Sequence, residues 1–556
     1  MREIIAEEIS KKVWDRGKVA KKIATFERIA KQGVSQRQIA EEISVPRSTL
    51  QHWIKRKENL EADKVVVEFF ESPEGLVFLH QVVMAAQFVI TQVGTGGIRL
   101  VCQFLELSGL FRYIASSYGA QQQVNVEMQK AIIEYSSQEK KRLSEGMKPK
   151  KITVCQDETF HEETCLVAIE PVSNFILVEK YDEKRDELSW NKAINKAVEG
   201  LKVEIIQSTS DEAKGILAHV NNGLGVHHSP DLFHIESELT KATSASLSAQ
   251  KRKAESLYLE ASEKVSQRVE QKESYKTQSG TNNLVYFEQG LLKAQEVKRQ
   301  AQEELLKKQS NQKLAKDAIK AISDAYHPFT LESGLKRNPQ DVEAALEQHF
   351  SNIEQIAQDA GLCAISSKRI EKARNLLPQM VATIAFFFQM VVNFVQEQSL
   401  SLELEEIIYQ NLIPAYYLKE VSKKSKSAQQ KKSLLDTSQN LMNLATSSAL
   451  SQLTIEQQLH IHHLAKESSQ LFQRSSSCVE GRNGQLSLLH HSLHRLTNSK
   501  LSALTTVHNF FTKRDDGSTA AQRFFGNKPK DLFLHLLDSI DLPSRPASKR
   551  SFLSSS

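Results

Sequence analysis

The sequence predicts a multidomain protein with an α-helical helix-turn-helix N-terminus, an α/β core built on a mixed five-stranded sheet, and a large all-α insertion. Three observations lead to this fold class. Basic residues are concentrated in the first 60 of the 556 positions, short runs rich in Val, Ile and Phe lie between 150 and 239, and Gly and Pro are scarce between 240 and 475. The predicted boundaries are 1–60, 61–149, 150–239, 240–475, 476–540 and a disordered tail at 541–556.

The charge distribution sets the first 60 residues apart. They carry 14 Lys and Arg against 8 Asp and Glu, whereas the remainder of the chain is nearly balanced, with 58 basic and 59 acidic residues. A local basic excess of this kind is typical of a segment that binds nucleic acid. It predicts a DNA-binding arm.

Residues 20–57 fit a helix-turn-helix. Ser35 and Gln38 have the spacing of a capping box, and Pro46 suits the first position of the next helix. Leu50 and Trp53 would pack that helix inward. The predicted DNA contacts lie on its outer side and just after it: Arg47, Ser48, Thr49, Gln51, His52, Lys55, Arg56 and Lys57. The alternative is a small helical bundle that binds protein.

The cysteines and the apolar segments bear on where the protein acts. The five cysteines form no Cys-x-x-Cys pair, so neither a zinc module nor a disulfide scaffold is indicated. Residues 1–30 are charged throughout, and the most apolar run, 380–395, is shorter than a bilayer span. We therefore expect a cytoplasmic protein without a membrane partner. Residues 61–149 are predicted to form a helical linker or oligomerisation region.

The hydrophobic period changes at residue 151. Strands are predicted at 152–160, 164–170 and 174–181, followed by a helix at 187–199 and a strand at 203–207. A further helix and a short fifth strand near 226–235 complete the order β-β-β-α-β-α-β. This is the order of a ribonuclease-H-like catalytic core.

Two acids lie where such a core would place catalytic carboxylates. Asp157 follows an apolar run in the first strand, and Asp211 follows the fourth. Phosphodiester chemistry uses two divalent metal ions roughly 3.5–4 Å apart, held by carboxylates. Glu158 should point to the opposite face, because strand side chains alternate. The alternatives are a solvated strand-end acid at Asp157 and a helix N-cap at Asp211.

These acids and two later motifs resemble the DDE transposases of bacterial insertion sequences. Asp231-Leu232-Phe233-His234 is similar to the (Cys/Asp)-x-x-His signature of hAT-like groups, and residues 475–484 resemble the helix that bears their final acid. Residues 515–525 also resemble a closing motif of bacterial transposases. Residues 240–475 correspond to the helical insertion of the hAT-like layout.

The resemblance implies roles for individual residues. Asp157, Asp211 and Glu480 would hold two Mg²⁺, which Mn²⁺ could replace, and His234 would lie near the active site. Arg482 and Asn483 would lie near the scissile phosphate or flanking DNA. Glu236 or Glu238 is the alternative third acid, which would make the helical block an appendage.

The function implied is cut-and-paste DNA transposition. The protein would bind double-stranded DNA at terminal inverted repeats and at a target, as a homo-oligomer that is at least a dimer. A catalytically inactive relative that acts as a DNA-binding regulator and a nuclease of the same fold are the alternatives. Basic residues of the insertion could hold DNA or could simply pair with neighbouring glutamates: Lys293, Lys298, Arg299, Lys307 and Lys308.

Overall fold

The computed structural model describes residues 16–58, 64–161, 163–279, 284–446, 449–493 and 496–546. Within these ranges the chain has an N-terminal helical region, a mixed five-stranded sheet and a large helical region. The predicted fold class is therefore confirmed.

The first three helices form a small unit with its own core. They are α1 (Arg16–Ala30), α2 (Gln36–Glu42) and α3 (Arg47–Glu58). Ser35 and Gln38 form the predicted capping box at the start of α2. Ile39 and Leu50 are completely buried between the helices. Pro46 lies one residue before α3 rather than in its first turn, and its carbonyl accepts the first helical hydrogen bond, from Leu50 N.

Four helices link this unit to the sheet: α4 (Lys64–Phe70), α5 (Pro73–Phe88), α6 (Ile98–Leu107) and α7 (Tyr118–Glu145). A π-helical turn, Val89–Val93, extends α5. Long buried side chains such as Leu79 and Leu105 hold these helices together. The segment is helical, as predicted.

The end of the chain packs on this helical region. Leu542 contacts its apolar cluster, Ala115 N donates to Ser544 O at 2.9 Å, and Arg545 pairs with the buried Glu71. The prediction of a disordered tail is therefore wrong for residues 541–546, because a buried carboxylate and an apolar cluster hold them. Residues 547–556 lie outside the described ranges.

The sheet contains β1 (Lys150–His161), β2 (Glu163–Glu170), β3 (Phe175–Asp182), β4 (Val203–Ser210) and β5 (His227–Pro230). The strand order is β3-β2-β1-β4-β5. β2 runs antiparallel to β1 and β3, whereas β4 is parallel to both β1 and β5. This is the ribonuclease-H-like arrangement that the sequence predicts. Helices α8 (Glu187–Val198) and α9 (Lys214–Ala218) connect the strands.

The fifth strand is shorter than predicted. It ends at Pro230, and a helix rather than a strand begins at Leu232. Asp231 starts this helix, since its carboxylate accepts from Phe233 N at 3.0 Å and its carbonyl accepts from Ile235 N. His234 therefore lies on a helix and not at a strand end.

The helical block follows in the chain. Its helices are α10 (Leu232–Ser279), α11 (Leu284–Ala325), α12 (Pro339–Asp359), α13 (Ala364–Arg374), α14 (Leu377–Gln396), α15 (Leu402–Ile407), α16 (Ile413–Lys424), α17 (Ala428–Thr446) and α18 (Ile455–Gln470). α10 and α11 form a long hairpin, and the other helices enclose a core that includes Phe350, Phe387 and Leu418. The described residues of this block contribute no strand to the sheet, as an insertion requires.

The chain then returns to the sheet. Helices α19 (Ser477–Leu493), α20 (Asn498–Phe510), α21 (Ala520–Phe525) and α22 (Leu532–Ser539) complete the fold. Val479 and Leu486 of α19 pack on Cys155 and Val167 of the central strands. In the predicted closing motif, Phe524 stacks on Phe175 with ring centroids 4.4 Å apart. That motif therefore fastens the end of the chain to β3.

Among the described residues, two helical segments are long and apolar enough to cross a bilayer by length and composition alone, Pro73–Val93 and Ala364–Gln396. Each also supplies buried side chains to a core, for example Leu79 and Met380. Because core helices pass the same test, this is weak evidence for a membrane span.

Candidate active site

The paired register of β1 and β4 brings two of the predicted acids together. Cys155 lies opposite Thr209 in this parallel pair. Continuing the register by two residues places Asp211 beside Asp157 at the carboxyl edge of the sheet, where neighbouring strands are about 4.8 Å apart. The two acids thus follow adjacent strands at one edge.

Asp157 and Glu158 point to opposite faces, as predicted. Asp157 Oδ2 accepts a hydrogen bond from Asn483 Nδ2 of α19 at 2.8 Å. Glu158 instead accepts from Trp190 Nε1 of α8 at 3.2 Å. Only Asp157 therefore faces the helix that carries the third predicted acid.

Asp231 fixes the start of that helix against the sheet. Its Oδ1 accepts from Ser476 N at 2.9 Å, and its Oδ2 accepts from Ser476 Oγ at 2.6 Å. Asp231 is 2% exposed. Since Asp231 follows β5 and Ser476 precedes α19, these hydrogen bonds return the chain to the sheet after the helical block. Glu480, in the first turn of α19, is thereby brought to the carboxyl edge.

The electrostatics show that the acids share one site. Burial, followed by the charges of Asp211, Glu480 and Asp231, raises the pKa of Asp157 to about 7. Burial and the charge of Asp231 also raise the pKa of Glu480, an effect that the neighbouring His234 opposes. The site is therefore a region of concentrated negative potential.

Two further predicted residues lie in this site. Asn483 is one helical turn after Glu480, so both share a face of α19. Its Oδ1 is buried without a hydrogen-bond partner among the described residues, and so is Nε2 of His234. The structure thus brings Asp157, Asp211, Glu480, His234 and Asn483 together.

The alternative third acids are engaged elsewhere. Glu238 pairs with Arg369 at 2.7 Å and with Lys241 at 3.4 Å. Glu236 interacts with Ser323 and Arg474, and burial raises its pKa. Neither contributes to the potential at Asp157, whereas Glu480 does. The geometry favours Glu480.

Arg482 does not lie where the resemblance predicts. Its guanidinium forms a bidentate pair with Glu179 of β3, with N–O distances of 2.6 and 2.7 Å. The side chains of Arg482 and Glu179 are 7% and 0% exposed, and Thr505 also donates to Glu179. Arg482 is therefore a buried structural residue rather than a DNA contact, because residues 479, 482 and 486 form the inward face of α19.

The donor chemistry of the site can be tested against the predicted metal. Hard oxygen ligands from carboxylates and amides suit Mg²⁺ and Mn²⁺. The buried, unpartnered Oδ1 of Asn483 and the crowded carboxylates match that preference. As their side chains lie, however, no group of three or more His, Cys, Asp or Glu in the described ranges could hold a metal ion. Asp157, Asp211 and Glu480 are thus neighbours with suitable chemistry rather than a preformed ligand set.

The predicted DNA-reading face is a surface. Arg47, Ser48, Gln51, His52 and Lys55 are exposed on α3, and Thr49 is half-buried. The side chains of Arg56 and Lys57 lie outside the described part of the structure. This exposure is compatible with contact to DNA.

The basic residues of the hairpin are mostly paired. Arg299 pairs with Glu296 at 2.6 Å and also with Glu303, and Lys308 pairs with Glu304 at 3.1 Å. Lys298 lies over the ring of Tyr258. Lys293 and Lys307 are exposed. For Arg299 and Lys308, pairing with neighbouring glutamates is what the structure shows.

The residues that sequence reasoning missed are those that assemble the site. Asp231 appears in the sequence only as part of a short motif, and nothing marks Ser476 as its partner 245 positions later. Glu179 likewise reads as an ordinary strand residue. No local pattern could have identified these long-range pairs.

The raised pKa of Asp157 predicts a pH-dependent stability in metal-free buffer. Between about pH 4 and 7, the folded chain retains a proton on Asp157 that the unfolded chain has lost. Stability should therefore fall as the pH rises through this window, by up to about 1.4 kcal/mol per pH unit, and then level off. Asp157→Asn should flatten this dependence in denaturant unfolding experiments. An unchanged slope in the variant would show that Asp157 titrates normally.

Comparison with known proteins adds one finding. A model described as a family of unknown function (DUF6399) matches residues 408–552. This segment includes Glu480 and α19 but neither Asp157 nor Asp211. No curated protein and no solved structure matches the chain.

Proposed function

We propose that this protein is a DNA transposase that binds transposon ends and catalyses metal-dependent strand cleavage and strand transfer. The observation that supports this most is the meeting of Asp157, Asp211 and Glu480 at the carboxyl edge of a ribonuclease-H-like sheet. Strongly perturbed carboxylates at such an edge are typical of catalytic sites.

Each residue has a distinct role in the proposal. Asp157, Asp211 and Glu480 would hold two Mg²⁺, or Mn²⁺, which activate the attacking oxygen and stabilise the leaving oxygen. The Asn483 amide holds one carboxylate oxygen of Asp157 and so limits its orientations. His234 lies on the Glu480 side and offsets part of the negative potential there. The Asp231–Ser476 hydrogen bonds position Glu480 without needing to touch the substrate.

The proposal divides DNA binding and chemistry between two parts of the chain. The exposed side of α3 would read the ends of the element, since a helix of this kind fits the major groove. The edge of the sheet would cleave them. Pairing of two ends requires at least two subunits in the proposed complex.

The direct test is a reaction of the full-length protein with DNA that contains its coding region and both flanks. With Mg²⁺ we expect strand breaks at two defined positions and joining of the released ends to a second DNA. A DNA of equal length without the flanks is the control. Specific binding without breaks in either Mg²⁺ or Mn²⁺ would instead support the regulator, and breaks without joining would support a nuclease.

A further inference from the structure

We propose that Arg185 binds a backbone phosphate of the DNA next to the one that reacts. This inference rests on the proposed function. It concerns the loop between β3 and α8, which none of the motifs described above includes.

The topology places this loop at the active edge. β1 and β3 both run antiparallel to β2, so β3 is parallel to β1 and its end lies at the same edge as Asp157. The loop also packs against the segment that follows Asp211. A Cβ on Gly215 would lie 2.0 Å from the carbonyl oxygen of Arg185, so this contact needs glycine. Arg185 is therefore next to the loops that carry both strand acids.

The guanidinium is held in one orientation by two neighbours of Asp157. Arg185 Nη1 donates to Glu158 Oε2 at 3.0 Å, and its Cζ lies 5.0 Å from the ring centroid of Phe160. Glu158 is itself fixed, since its other oxygen accepts from Trp190 and its side chain is 4% exposed. The Arg185 side chain nevertheless remains 57% exposed. A preoriented but accessible guanidinium results.

The chemistry of the edge gives this cation a use. A DNA strand that approaches Asp157, Asp211 and Glu480 brings phosphates toward carboxylates, so its affinity depends on nearby positive charge. A guanidinium presents five N–H donors in a planar fork that matches phosphate oxygens. Because Glu158 and Asp157 point to opposite faces, Arg185 lies beside the acids rather than among them. It is therefore placed for a neighbouring phosphate.

An exposed ion pair without a ligand role would behave differently. Such pairs stabilise folded proteins by only about 0–1 kcal/mol. Replacing Arg185 should accordingly leave the melting temperature nearly unchanged, which allows DNA binding to be measured on folded protein.

The experiment compares full-length wild type, Arg185→Ala, Arg185→Gln and the control Lys184→Ala, an exposed cation of the same loop. The probe is a labelled duplex with the DNA that flanks the coding region, in buffer without divalent ions. We expect both Arg185 variants to bind about tenfold more weakly and to lower the slope of log affinity against log salt by about 0.9, the value for one phosphate contact. Lys184→Ala should match wild type.

The outcomes separate this inference from the function. If wild type neither binds nor cleaves this DNA, the proposed function fails. If wild type does both, and the Arg185 variants retain its affinity and salt slope, the Arg185 proposal is wrong and the function stands. An equal loss in Lys184→Ala would also overturn it, because the effect would then reflect general charge.

Discussion

Glu480→Gln is expected to reduce DNA strand cleavage by at least about 10³-fold while changing DNA affinity by less than about threefold. The same is expected of Asp157→Asn and Asp211→Asn. Each change removes a negative charge from the proposed metal-binding edge, and a loss of about 4 kcal/mol in the transition state corresponds to this rate factor. Single-turnover cleavage and binding of the same labelled DNA would measure both quantities.

Glu236→Gln provides the matched control for the acid on α19. Glu236 is also a partly buried glutamate with a raised pKa, but it interacts with Ser323 and Arg474. It should retain cleavage activity. Full activity in Glu480→Gln together with loss in Glu236→Gln would show that the helical block is an appendage and that the third acid precedes it.

Arg482→Met is expected to destabilise the core by about 3–5 kcal/mol. The change leaves the carboxylate of Glu179, which is fully buried, without its bidentate partner. Thr505 alone still donates to it. The double variant Glu179→Leu with Arg482→Met should recover much of this loss, since apolar residues can replace a buried pair at little cost. Denaturant unfolding followed by the fluorescence of Trp190 would report on the core.

The same variants decide whether Arg482 contacts DNA. A DNA ligand would lose affinity on substitution while the folded core kept its stability. We expect the opposite, so that the double variant regains DNA affinity as it regains stability. A double variant as unstable as the single one would argue against the ion-pair explanation.

Local patterns carried the fold prediction, and long-range pairing limited it. The capping box at Ser35 and the alternating strands around Asp157 depend on neighbouring residues, so they could be predicted from the sequence. The role of Arg482 depends on Glu179, 303 positions away, and a pattern around Arg482 does not reveal this partner. The end of β5 was misplaced because Leu232–Ile235 is apolar enough for a strand, whereas the Asp231 side chain starts a helix there.

The candidate site divides in the same way. Asp157 and Asp211 follow apolar runs and could be proposed from strand order alone. Glu480 could not, since the helical block separates it from the sheet in sequence, and its choice depended on the resemblance. The Asp231–Ser476 contact explains physically why that choice and the geometry agree.

The position of the helical block between Asp211 and Glu480 has a consequence for protein synthesis. A ribosome that stops before residue 476 releases a chain with the N-terminal helices and two acids but without Ser476 and Glu480. Under the proposed function, such a fragment would occupy transposon ends that it cannot cut. Premature termination would then produce a competitive antagonist of the complete protein, and the frequency of transposition would fall as the ratio of truncated to finished chains rises.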